Sequence, residues 1–595
     1  MTERTILDLY HNDVQRPRER HYTHYFPGGS RALSTDEFAS RTAALAEGLT
    51  GLGVRHGDRV LLLSENRPEW HMVDLAVLDV RATDVPVYTT LTPQQIAYQA
   101  QDSGASVAVG ETAEHIRRFQ QIRGQCPELR HLVQIEGEAD EGVLTLDDLV
   151  STASSDAADR FWERAAEVRE NDLASIVYTS GTTGEPKGVM LTHQNFVSNV
   201  KAVMPRIPMD HNDLGLEFLP LCHVFERTVA YAYMYVSAFV AYCATKDVAE
   251  LVAAVAPTTF ASVPRLYEKI YTAINSKVAA APPIRRSLFH WAAGVGWEAA
   301  QRRLAGRSLG PGLGLRHSLA DKLVLSKVRQ ALGGRLRFSI SGGAPLPLYV
   351  NEFFHSIGLP IQEGYGLTET SPAIGIAGFK PGDNRLGSIG RGLENLEIKL
   401  GPDGELLVKG PSITQGYWNK PEQTAEVLDA EGFFHTGDIA RMDEDGFIFI
   451  TDRKKDLIVT AGGKNVAPQP IEAALKKSAL VDNALLIGDR RPFIIALLSP
   501  SDEELTAWAH QHNLEAGDLS GLLALPQVAT AFEQVVAEVN ADLARYEQIR
   551  KFAVLPRTLT IEEGDLTPTM KIKRRVVENE FADLINELYG GAAVE

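Results

Sequence analysis

The sequence predicts an α/β fold: a large N-terminal domain of doubly wound, mostly parallel sheets with a small β-rich subdomain, then a small α+β C-terminal domain. Two observations support this prediction. The first 150 residues alternate helical patterns with short apolar runs, an order typical of parallel strands joined by crossover helices. The chain also has 595 residues, more than a single hydrophobic core supports, so it must divide into domains.

The N-terminal elements can be assigned one after another. Residues 35–52 open with a capping serine or threonine and place apolar side chains at helical spacing, which predicts a helix. Residues 59–63 are apolar enough for a buried strand, residues 69–80 have a helical pattern, and residues 105–109 form another buried strand that ends at Gly110. This alternation is the basis of the predicted doubly wound sheet.

The most apolar stretch of the chain lies near its middle. Residues 229–244 read VAYAYMYVSAFVAYCA, which is 16 residues and includes Ser237. A bilayer-spanning helix needs roughly 20 residues. The stretch is therefore predicted to be a buried core element.

Hairpin signals dominate residues 392–449, the predicted β-rich subdomain. The turn-forming residues 402–404 lie between two strands, and residues 443–446 separate a strand at 439–442 from one at 447–451. Short strands joined by such turns predict a small antiparallel sheet.

A short charged break follows this subdomain. Residues 452–456 read DRKKD, and the residues beyond them have enough strands and helices for an independent domain. We therefore predict a large domain over residues 1–451, a hinge over residues 452–456 and a small domain over residues 457–595.

Composition narrows the class of protein. Apolar residues make up 44% and charged residues 23% of the chain, which excludes a mainly disordered protein, and the net charge of −18 disfavours nucleic-acid binding. Only Cys126, Cys222 and Cys243 are present, which fits a reducing compartment and excludes a disulfide framework and a cysteine-rich zinc site. The N-terminus lacks the pattern of a signal peptide, so a cytoplasmic location is expected.

The most informative segment is the loop over residues 179–188. It follows a predicted buried strand at 174–178 and contains hydroxyl residues, three glycines and Lys187. Glycines let backbone N–H groups turn toward an anion, hydroxyls add donors, and the lysine supplies a positive charge. The loop is not a Walker A motif, because Lys187 follows Pro186 and is not followed by Ser or Thr. It predicts a phosphate-binding loop.

This loop resembles the signature motif of the adenylate-forming superfamily, which includes acyl-CoA synthetases, luciferases and peptide-synthetase adenylation domains. Six further segments are similar to the remaining motifs of that family and occur in the same order. They are residues 219–223 (LPLCH), 341–345 (SGGAP), 363–369 (EGYGLTE), 435–438 (HTGD), 452–456 (DRKKD) and 566–571 (LTPTMK).

The resemblance implies that the chain activates a carboxylic acid with ATP and then passes the acyl group to a thiol. A free carboxylate is a poor electrophile, and the acyl-AMP mixed anhydride supplies a good leaving group. Since two anions must first approach each other, the site needs cations and hydrogen-bond donors directed at the α-phosphate. The resemblance also implies that the small C-terminal domain is mobile and swings at the hinge between the two half-reactions.

The resemblance assigns catalytic roles to four residues. Lys571 would bridge the carboxylate and the α-phosphate, Glu369 would bind Mg²⁺, Thr182 would act in the phosphate loop, and His223 would lie beside the acyl carboxylate. Without the other motifs, Lys571 would be interpreted as a solvated lysine in a basic tail, Glu369 as a carboxylate that begins a helix, and His223 as a core histidine.

The remaining site residues are predicted to bind ATP or coenzyme A. Asp438 and Arg453 suit the ribose and phosphates, Tyr365 offers an aromatic face to adenine, Lys455 falls at the hinge, and Lys464 would border pantetheine. The full predicted set is Thr179, Ser180, Gly181, Thr182, Thr183, Gly184, Lys187, Gly342, Gly343, Ala344, Gly364, Tyr365, Gly366, Thr368, Asp438, Arg453, Lys455, Gly462, Gly463 and Lys464.

The details of the sequence are most similar to long-chain fatty acyl-CoA synthetases. Residues 219–227, residues 263–269 and the long segment at about 270–336 resemble that subgroup, and the absence of a Gly-Gly-x-Ser carrier motif favours free coenzyme A. A medium-chain or aryl acid–CoA ligase, a luciferase-like oxygenase and a non-catalytic lipid-binding protein on the same fold remain alternatives.

One segment has an unusual charge. Residues 284–329 contain nine basic and two acidic residues, a local net charge of +7 in an acidic chain, with Leu288, Phe289, Trp291 and Trp297 interleaved. A helix over residues 288–303 would have basic and aromatic faces. The hypothesis is a reversible peripheral contact with an anionic membrane, at its inner face. The alternative is that the aromatics pack on the protein's own core.

Overall fold

The computed structural model describes residues 3–179, 185–461, 464–514, 517–567 and 571–590. The chain forms two compact units. The first comprises residues 1–399, 407–436 and 442–449, and the second comprises residues 400–406, 437–441 and 450–595.

The strands of both units are numbered in chain order. They are β1 (Tyr22–Phe26), β2 (Gly29–Leu33), β3 (Arg59–Leu63), β4 (Thr83–Pro86), β5 (Val107–Gly110), β6 (His131–Gln134), β7 (Leu144–Thr145), β8 (Leu173–Thr179), β9 (Lys187–Thr192), β10 (Leu214–Glu217), β11 (Phe239–Tyr242), β12 (Thr259–Ser262), β13 (Phe338–Ser341), β14 (Ile361–Gly366), β15 (Ala373–Ile376), β16 (Arg391–Gly392), β17 (Glu397–Leu400), β18 (Glu405–Lys409), β19 (Phe434–Met442), β20 (Ile448–Arg453), β21 (Ile458–Val459), β22 (Asn465–Val466), β23 (Val481–Ile487), β24 (Ile494–Pro500) and β25 (Ile549–Val554).

The α-helices are numbered in the same way, and a π-helical turn at Asp321–Leu325 joins two of them. They are α1 (Ile6–Val14), α2 (Thr35–Gly51), α3 (Pro68–Asp79), α4 (Pro93–Ser103), α5 (Ala113–Ile122), α6 (Leu146–Ser151), α7 (Ala157–Ala165), α8 (His193–Val203), α9 (Val224–Val236), α10 (Val248–Val255), α11 (Pro264–Ala279), α12 (Pro283–Leu304), α13 (Gly310–Ala320), α14 (Ser326–Gln330), α15 (Leu348–Ser356), α16 (Pro421–Ala425), α17 (Pro468–Leu475), α18 (Asp502–Gln511), α19 (Leu519–Leu523), α20 (Pro526–Ala541), α21 (Arg574–Glu580) and α22 (Ala582–Leu588).

Two large sheets organise the first unit. The seven-stranded sheet has the order β7-β6-β5-β3-β4-β8-β9, and only its edge pair β8–β9 is antiparallel. The nine-stranded sheet has the order β16-β15-β14-β13-β12-β10-β11-β1-β2, with parallel pairing from β14 through β1. The predicted doubly wound, mostly parallel architecture is confirmed. The carboxyl ends of β10, β12, β13 and β14 share one edge, where ligands bind in such sheets.

The predicted elements up to residue 244 occur in the predicted order. Two of them differ from the prediction by more than one residue: the strand predicted at 105–109 and the single element predicted at 229–244. Helix α2 begins after Ser34, whose side chain accepts a hydrogen bond from Glu37 N in a capping box. Strand β5 begins at Val107, two residues later than predicted. The apolar stretch at 229–244 is buried as predicted, but it is the end of α9 followed by β11, because Ser237 adopts a left-handed backbone with φ of 55° and ends the helix.

A fully buried ion cluster lies in the core of the first unit. The Arg227 guanidinium on α9 pairs with Asp74 of α3 and, at 2.9 Å, with Asp84 of β4, and it donates to Ser175 Oγ of β8 at 2.8 Å. Tyr231 donates to Asp74 Oδ2 at 2.7 Å. Burial raises the pKa of the Asp84 carboxyl, and the Arg227 charge opposes that rise. The cluster ties α9 to the seven-stranded sheet.

The second unit has its own core and its own sheets. Strands β23, β24 and β25 form a three-stranded sheet with one antiparallel and one parallel pair, and helices α17 to α22 belong to the same unit.

The predicted hairpins of the β-rich region are present in the order β17-β18-β19-β20, with Gly404 and Gly446 at positive φ in the turns. No helix among the described residues is both long and apolar enough to cross a bilayer.

Candidate active site

The predicted phosphate loop connects the antiparallel strands β8 and β9. Thr179 at the end of β8 pairs with Lys187 at the start of β9, and Tyr98 donates a hydrogen bond to the Pro186 carbonyl at 3.0 Å. The predicted residues Ser180, Gly181, Thr182, Thr183 and Gly184 lie outside the described residues. Strands β8 and β9, which flank these residues, therefore form the antiparallel edge pair of the seven-stranded sheet.

Lys187 and Glu369 come together through a third side chain, Tyr417. The Tyr417 hydroxyl donates to Glu369 Oε1 at 2.8 Å, and Lys187 Nζ lies 4.7 Å from the centre of the Tyr417 ring. Burial, and to a smaller extent the neighbouring Glu369 carboxylate, raise the pKa of the Tyr417 hydroxyl. The hydroxyl therefore keeps its proton and remains a donor. The Lys187 ammonium and the Glu369 carboxylate therefore both contact Tyr417, at the start of β9.

The segment that carries Tyr417 is fixed against β9 by backbone hydrogen bonds. Met190 N donates to the Gly416 carbonyl at 3.0 Å, and Trp418 N donates to the Gly188 carbonyl at 2.7 Å. Thr414 N also donates to the Glu369 carbonyl at 2.8 Å. These bonds set the positions of Tyr417 and Glu369 relative to the start of β9.

His223 is the N-cap residue of α9, at the carboxyl-end edge of β10. Its Nδ1 accepts a hydrogen bond from Phe225 N at 3.1 Å. With Nδ1 used as the acceptor, the neutral ring carries its proton on Nε2. The side chain is half-buried. In its neutral form, His223 is therefore an N–H donor whose ring is oriented by the Phe225 amide.

Two segments of the predicted ATP site, residues 342–344 and residues 364–368, lie at the same edge of the nine-stranded sheet. Gly342 directly follows β13, and a Cβ atom there would come within 2.9 Å of the Phe225 ring. Gly343 has φ of +82°. In β14, a Cβ on Gly366 would overlap the Pro372 carbonyl, which explains why a glycine stands beside Tyr365. The two segments lie on the neighbouring parallel strands β13 and β14.

The other predicted residues of these two segments differ in how far they are exposed to solvent. Thr368 is buried, Gly364 and Tyr365 are half-buried, and Ala344 is exposed. Gly364 and Tyr365 pair with Ile376 and Gly375 of β15.

The second unit brings together Asp438 and Arg453. Asp438 is buried, and its Oδ1 lies 3.0 Å from Arg453 Nε. Asp438 follows Gly437, whose backbone has φ of 71° and whose N–H donates to Glu405 Oε1 at 2.9 Å. A buried carboxylate beside a guanidinium suits vicinal hydroxyls and a neighbouring phosphate.

The predicted hinge begins at the end of β20. Lys454 and Lys455 are both exposed, and Lys454 Nζ lies 2.7 Å from Asp403 Oδ2 and 2.9 Å from Glu405 Oε2. Asp452 is buried, and burial raises the pKa of its carboxyl to about 7. The segment is therefore anchored on its N-terminal side and exposed at Lys455.

Two hydrogen bonds join Lys571 to Thr567. Thr567 N donates to the Lys571 carbonyl at 2.8 Å, and Lys571 N donates to Thr567 Oγ1 at 3.0 Å. Lys571 keeps solvent-accessible surface, but neighbouring protein atoms displace much of the water around its ammonium group. This desolvation and Arg453 lower the pKa of Lys571 to about 8, while Asp438 and Asp456 oppose the shift. Lys571, Arg453 and Asp438 therefore share one electrostatic environment.

Lys464 is exposed, and two hydrogen bonds join it to Thr460. Thr460 N donates to the Lys464 carbonyl at 3.0 Å, and Lys464 N donates to Thr460 Oγ1 at 3.2 Å. The predicted residues Gly462 and Gly463, which precede Lys464 in the sequence, lie outside the described residues.

Two residues of the site were not predicted from the sequence. Tyr417 contacts both Glu369 and Lys187, and Thr567 exchanges two hydrogen bonds with Lys571. A signal for Tyr417 was present in its Gly-Tyr-Trp context, where an aromatic follows a glycine within the hairpin-rich region. A lone threonine such as Thr567 has no distinctive pattern, since its contact with Lys571 is set by the tertiary structure.

The sequence profile of the AMP-binding enzyme family matches residues 10–418, and that of the AMP-binding enzyme C-terminal domain matches residues 455–593. The chain is 39% identical over 559 residues to the long-chain-fatty-acid–CoA ligase FadD15 of Mycobacterium tuberculosis, covering 93% of this chain and 91% of the relative. It is 34% identical over 599 residues to the peroxisomal long chain acyl-CoA synthetase 7 of Arabidopsis thaliana, covering 94% and 82%.

Solved structures support the same fold at lower identity. The anthranilate CoA ligase AuaEII in complex with anthranoyl-AMP superposes with a TM-score of 0.73 at 22% identity, over 98% of each chain. ATP-bound MatB from Rhodopseudomonas palustris gives a TM-score of 0.69 at 21% identity, over 98% of this chain and 99% of that one. Sequence profiles, relatives and fold agree, and the chain belongs to the AMP-binding enzyme family.

Proposed function

We infer that this protein is a long-chain fatty acid–CoA ligase, which uses ATP to convert a fatty acid to acyl-AMP and pyrophosphate and then transfers the acyl group to coenzyme A. The observation that carries the inference is the 39% identity, over nine-tenths of both chains, to a relative named as a ligase of that class. The chemistry of the site residues agrees with it.

The first half-reaction joins two anions. A carboxylate oxygen attacks the α-phosphorus of ATP, the bond from that phosphorus to the bridging oxygen breaks, and pyrophosphate leaves. Lys187 at the phosphate loop and Lys571 of the second unit are the cations that we assign to this step. They stabilise charge that spreads over the phosphate oxygens in the transition state. His223 Nε2–H orients the fatty acid carboxylate.

Glu369 is the residue that we propose would hold Mg²⁺. Its carboxylate is half-buried, is oriented by the Tyr417 hydroxyl and lies near Lys187, and a carboxylate oxygen is the ligand type that Mg²⁺ prefers. When bound, the ion would neutralise phosphate charge. Tyr417 keeps one carboxylate oxygen in place, and the phosphates would supply further oxygen ligands.

The second half-reaction transfers the acyl group to sulfur. The thiol sulfur of coenzyme A attacks the acyl carbonyl carbon, the thiol loses its proton, the bond to the phosphate oxygen breaks, and AMP leaves. We propose that Lys464 and its neighbouring glycines border the pantetheine arm, and that Asp438 and Arg453 hold the ribose and the phosphate. Lys571 has no role in this step.

We also propose the domain boundaries and the hinge: a large domain over residues 1–451, a hinge over residues 452–456 and a small mobile domain over residues 457–595. The break between the two matched family profiles, from residue 418 to residue 455, is compatible with this division. A reversible contact between residues 284–329 and an anionic membrane is the remaining part of the proposal.

The substitution Lys455→Pro tests the hinge. Proline fixes φ near −65° and restricts Lys454, so the segment loses the freedom to rotate. We expect thioester formation to fall by roughly tenfold or more while pyrophosphate release is better preserved, since only the second half-reaction requires the swing. Single-turnover measurements of both steps check this, with Lys455→Ala as the control. Equal rates in Lys455→Pro and Lys455→Ala would place the hinge elsewhere, with Asp456 as the next candidate.

The proposed function is tested with a panel of acids. Pyrophosphate release is measured with ATP and Mg²⁺ for saturated acids from two to twenty carbons and for aryl acids, with and without coenzyme A. Long-chain acids should give the highest kcat/KM, and thioester should form only with coenzyme A. A preference for medium-chain or aryl acids would correct the substrate class, and the absence of pyrophosphate release with every acid would favour a lipid-binding protein.

A further inference from the structure

The segment that ends at His223 is largely buried, although it has no regular secondary structure. Residues 218–223 join β10 to α9, and we call them the connecting segment. Four of its six residues are buried, and His223 is half-buried. Buried backbone N–H and C=O groups need hydrogen-bond partners, and this segment does not obtain them from a helix or a sheet. Other groups must therefore supply them.

Asn66 supplies two of these partners. Its Nδ2 donates to the Leu219 carbonyl at 2.7 Å, and its Oδ1 accepts from Leu221 N at 3.2 Å. The residue is only 2% exposed. Because one backbone group is an acceptor and the other is a donor, a side-chain amide in this orientation satisfies both. Asn66 therefore holds the middle of the connecting segment.

The ends of the connecting segment are held by other groups. Phe218 N donates to Glu226 Oε1 at 3.1 Å. At the other end, His223 N donates to the Pro220 carbonyl at 2.9 Å. This bond closes a turn over residues 220–223, and Leu221, which is bonded to Asn66, lies inside that turn. A shift of the turn would therefore move His223.

Asn66 is itself anchored at the carboxyl edge of the seven-stranded sheet. It lies between β3 and α3. On one side, Glu65 accepts from Thr89 Oγ1 at 2.8 Å, and Glu65 N donates to Glu111 Oε2 at 2.8 Å. On the other side, Arg67 pairs with Glu111 at 3.1 Å. The residues that flank Asn66 are therefore tied to the segments that follow β4 and β5.

The hydrogen bonds of Asn66 join the edges of the two large sheets. Asn66 follows β3 of the seven-stranded sheet, and the connecting segment follows β10 of the nine-stranded sheet. The bonds reach the connecting segment shortly before His223, whose ring is oriented separately because Nδ1 accepts from Phe225 N. The position of His223 Nε2 thus depends on Asn66 through the backbone and on the start of α9 through the ring.

We propose that Asn66 is a positioning residue for His223: its amide fixes the connecting segment so that His223 Nε2–H meets the carboxylate of the acid. This proposal rests on the role of His223 in the function proposed above. Asn66 acts through the backbone of Leu219 and Leu221, and not by contact with the acid. Such positioning matters, because a displacement of about 1 Å in an active site can cost roughly 100-fold in rate.

The fold should tolerate loss of the Asn66 amide, because two other buried contacts join α3 to β10 and α9. His71 Nε2 of α3 lies 2.9 Å from Glu217 Oε2 of β10, and Arg227 of α9 pairs with Asp74 of α3. Removal of the amide therefore frees the connecting segment but leaves the two sheets attached to each other.

A double-mutant cycle tests the proposal. Asn66→Ala leaves the Leu219 carbonyl and the Leu221 N–H without their partners, so the connecting segment should shift. We expect kcat/KM for the parent's best acid, measured by pyrophosphate release, to fall roughly tenfold or more, while the KM for ATP stays unchanged. In a His223→Ala background, the same substitution should cost less than about twofold, because the group through which Asn66 acts is already absent.

Asn540 provides a matched control in the second unit. Its Nδ2 donates to the Ile549 carbonyl at 2.9 Å, and its Oδ1 accepts from Ile549 N at 2.8 Å, so it makes the same pair of backbone bonds. Asn540→Ala should lower the urea midpoint of unfolding but leave kcat/KM for the acid unchanged. Equal losses of kcat/KM in Asn66→Ala and Asn540→Ala would show a general effect of destabilisation and overturn the proposal.

The remaining outcomes are also decisive. Full kcat/KM in Asn66→Ala, or an equal loss with and without His223, would refute the role of Asn66 alone. A His223→Ala variant with the parent's kcat/KM would refute the role of His223 and the proposal with it, whereas a parent that activates no acid would refute the ligase.

A second variant covers the case in which Asn66→Ala does not fold. Asn66→Asp keeps the size of the side chain and the acceptor for Leu221 N, and as a carboxylate it removes only the donor to the Leu219 carbonyl. It would replace Asn66→Ala in the cycle, with the same expected dependence on His223. Failure of both variants to fold would assign Asn66 to the fold and overturn the proposal.

Discussion

Lys571→Ala is expected to reduce acyl-AMP formation by about 10²–10³-fold and to leave thioester formation from synthetic acyl-AMP nearly unchanged. The substitution removes a positive charge from the step in which two anions join, and loss of one such group typically costs this much. The acyl-AMP substrate bypasses that step. The two rates are measured separately, by pyrophosphate release and by thioester formation. Equal loss of both rates would show that Lys571 has a structural role.

The pH dependence of adenylation supplies a second readout for Lys571. Because the pKa of Lys571 is lowered to about 8, its ammonium is charged below that pH and loses its proton above it. The adenylation kcat/KM of the parent should therefore fall as the pH rises through about 8. Lys571→Arg keeps its charge in this range, and this alkaline limb should disappear from its profile. An unchanged limb in Lys571→Arg would assign the titration to another group.

The largest effect on stability is expected for Arg227→Met. The substitution leaves the buried carboxylates of Asp74 and Asp84 without their shared cation, and removal of one partner of a buried ion pair typically costs about 3–5 kcal/mol. The urea midpoint of the first unit should fall accordingly. Trp70 fluorescence is a suitable probe, since the Arg227 guanidinium lies 5.3 Å from that ring.

Arg160→Met is the matched control for this prediction. Arg160 pairs with Glu47 at 2.7 Å, but its side chain is half exposed, so its loss should cost no more than about 1 kcal/mol. Adding Asp74→Asn to Arg227→Met should recover part of the lost stability, because one unpaired buried charge is removed. A midpoint shift as small as that of Arg160→Met, with no recovery in the double variant, would contradict the role of the cluster.

The candidate site was predictable to different degrees. Lys187 was proposed from the composition of its loop and Lys571 from the resemblance of its motif to a known family, and both assignments stay predictions. Tyr417 could not be proposed in this way, because its role depends on the pairing of residues 416–418 with β9, and the two segments are more than 200 residues apart in the sequence. Local patterns identify reactive groups, but they carry no information on which distant side chains orient them.

Secondary structure shows the same division. The capping box of α2 and the turns at Gly404 and Gly446 are local features, and their predicted positions are confirmed. The stretch at 229–244 looked like one apolar element, because helix and strand both bury such residues. The left-handed backbone at Ser237 divides it, and the β11 part is a strand because it pairs with β10 and β1.

For this protein, local patterns along the chain were enough to predict the α/β class, and the resemblance of seven ordered motifs to a known family implied the adenylating chemistry and the charged groups assigned to it. These properties depend on hydrophobic periodicity, turn residues and functional groups, all of which are written locally in the sequence. The tertiary structure alone decided that Tyr417 joins Lys187 to Glu369, that Arg227 is buried between two carboxylates, and that Ile284 and Leu315 face solvent while Phe289 does not. Those outcomes depend on packing between distant segments, since burial and electrostatics are set by neighbours in space.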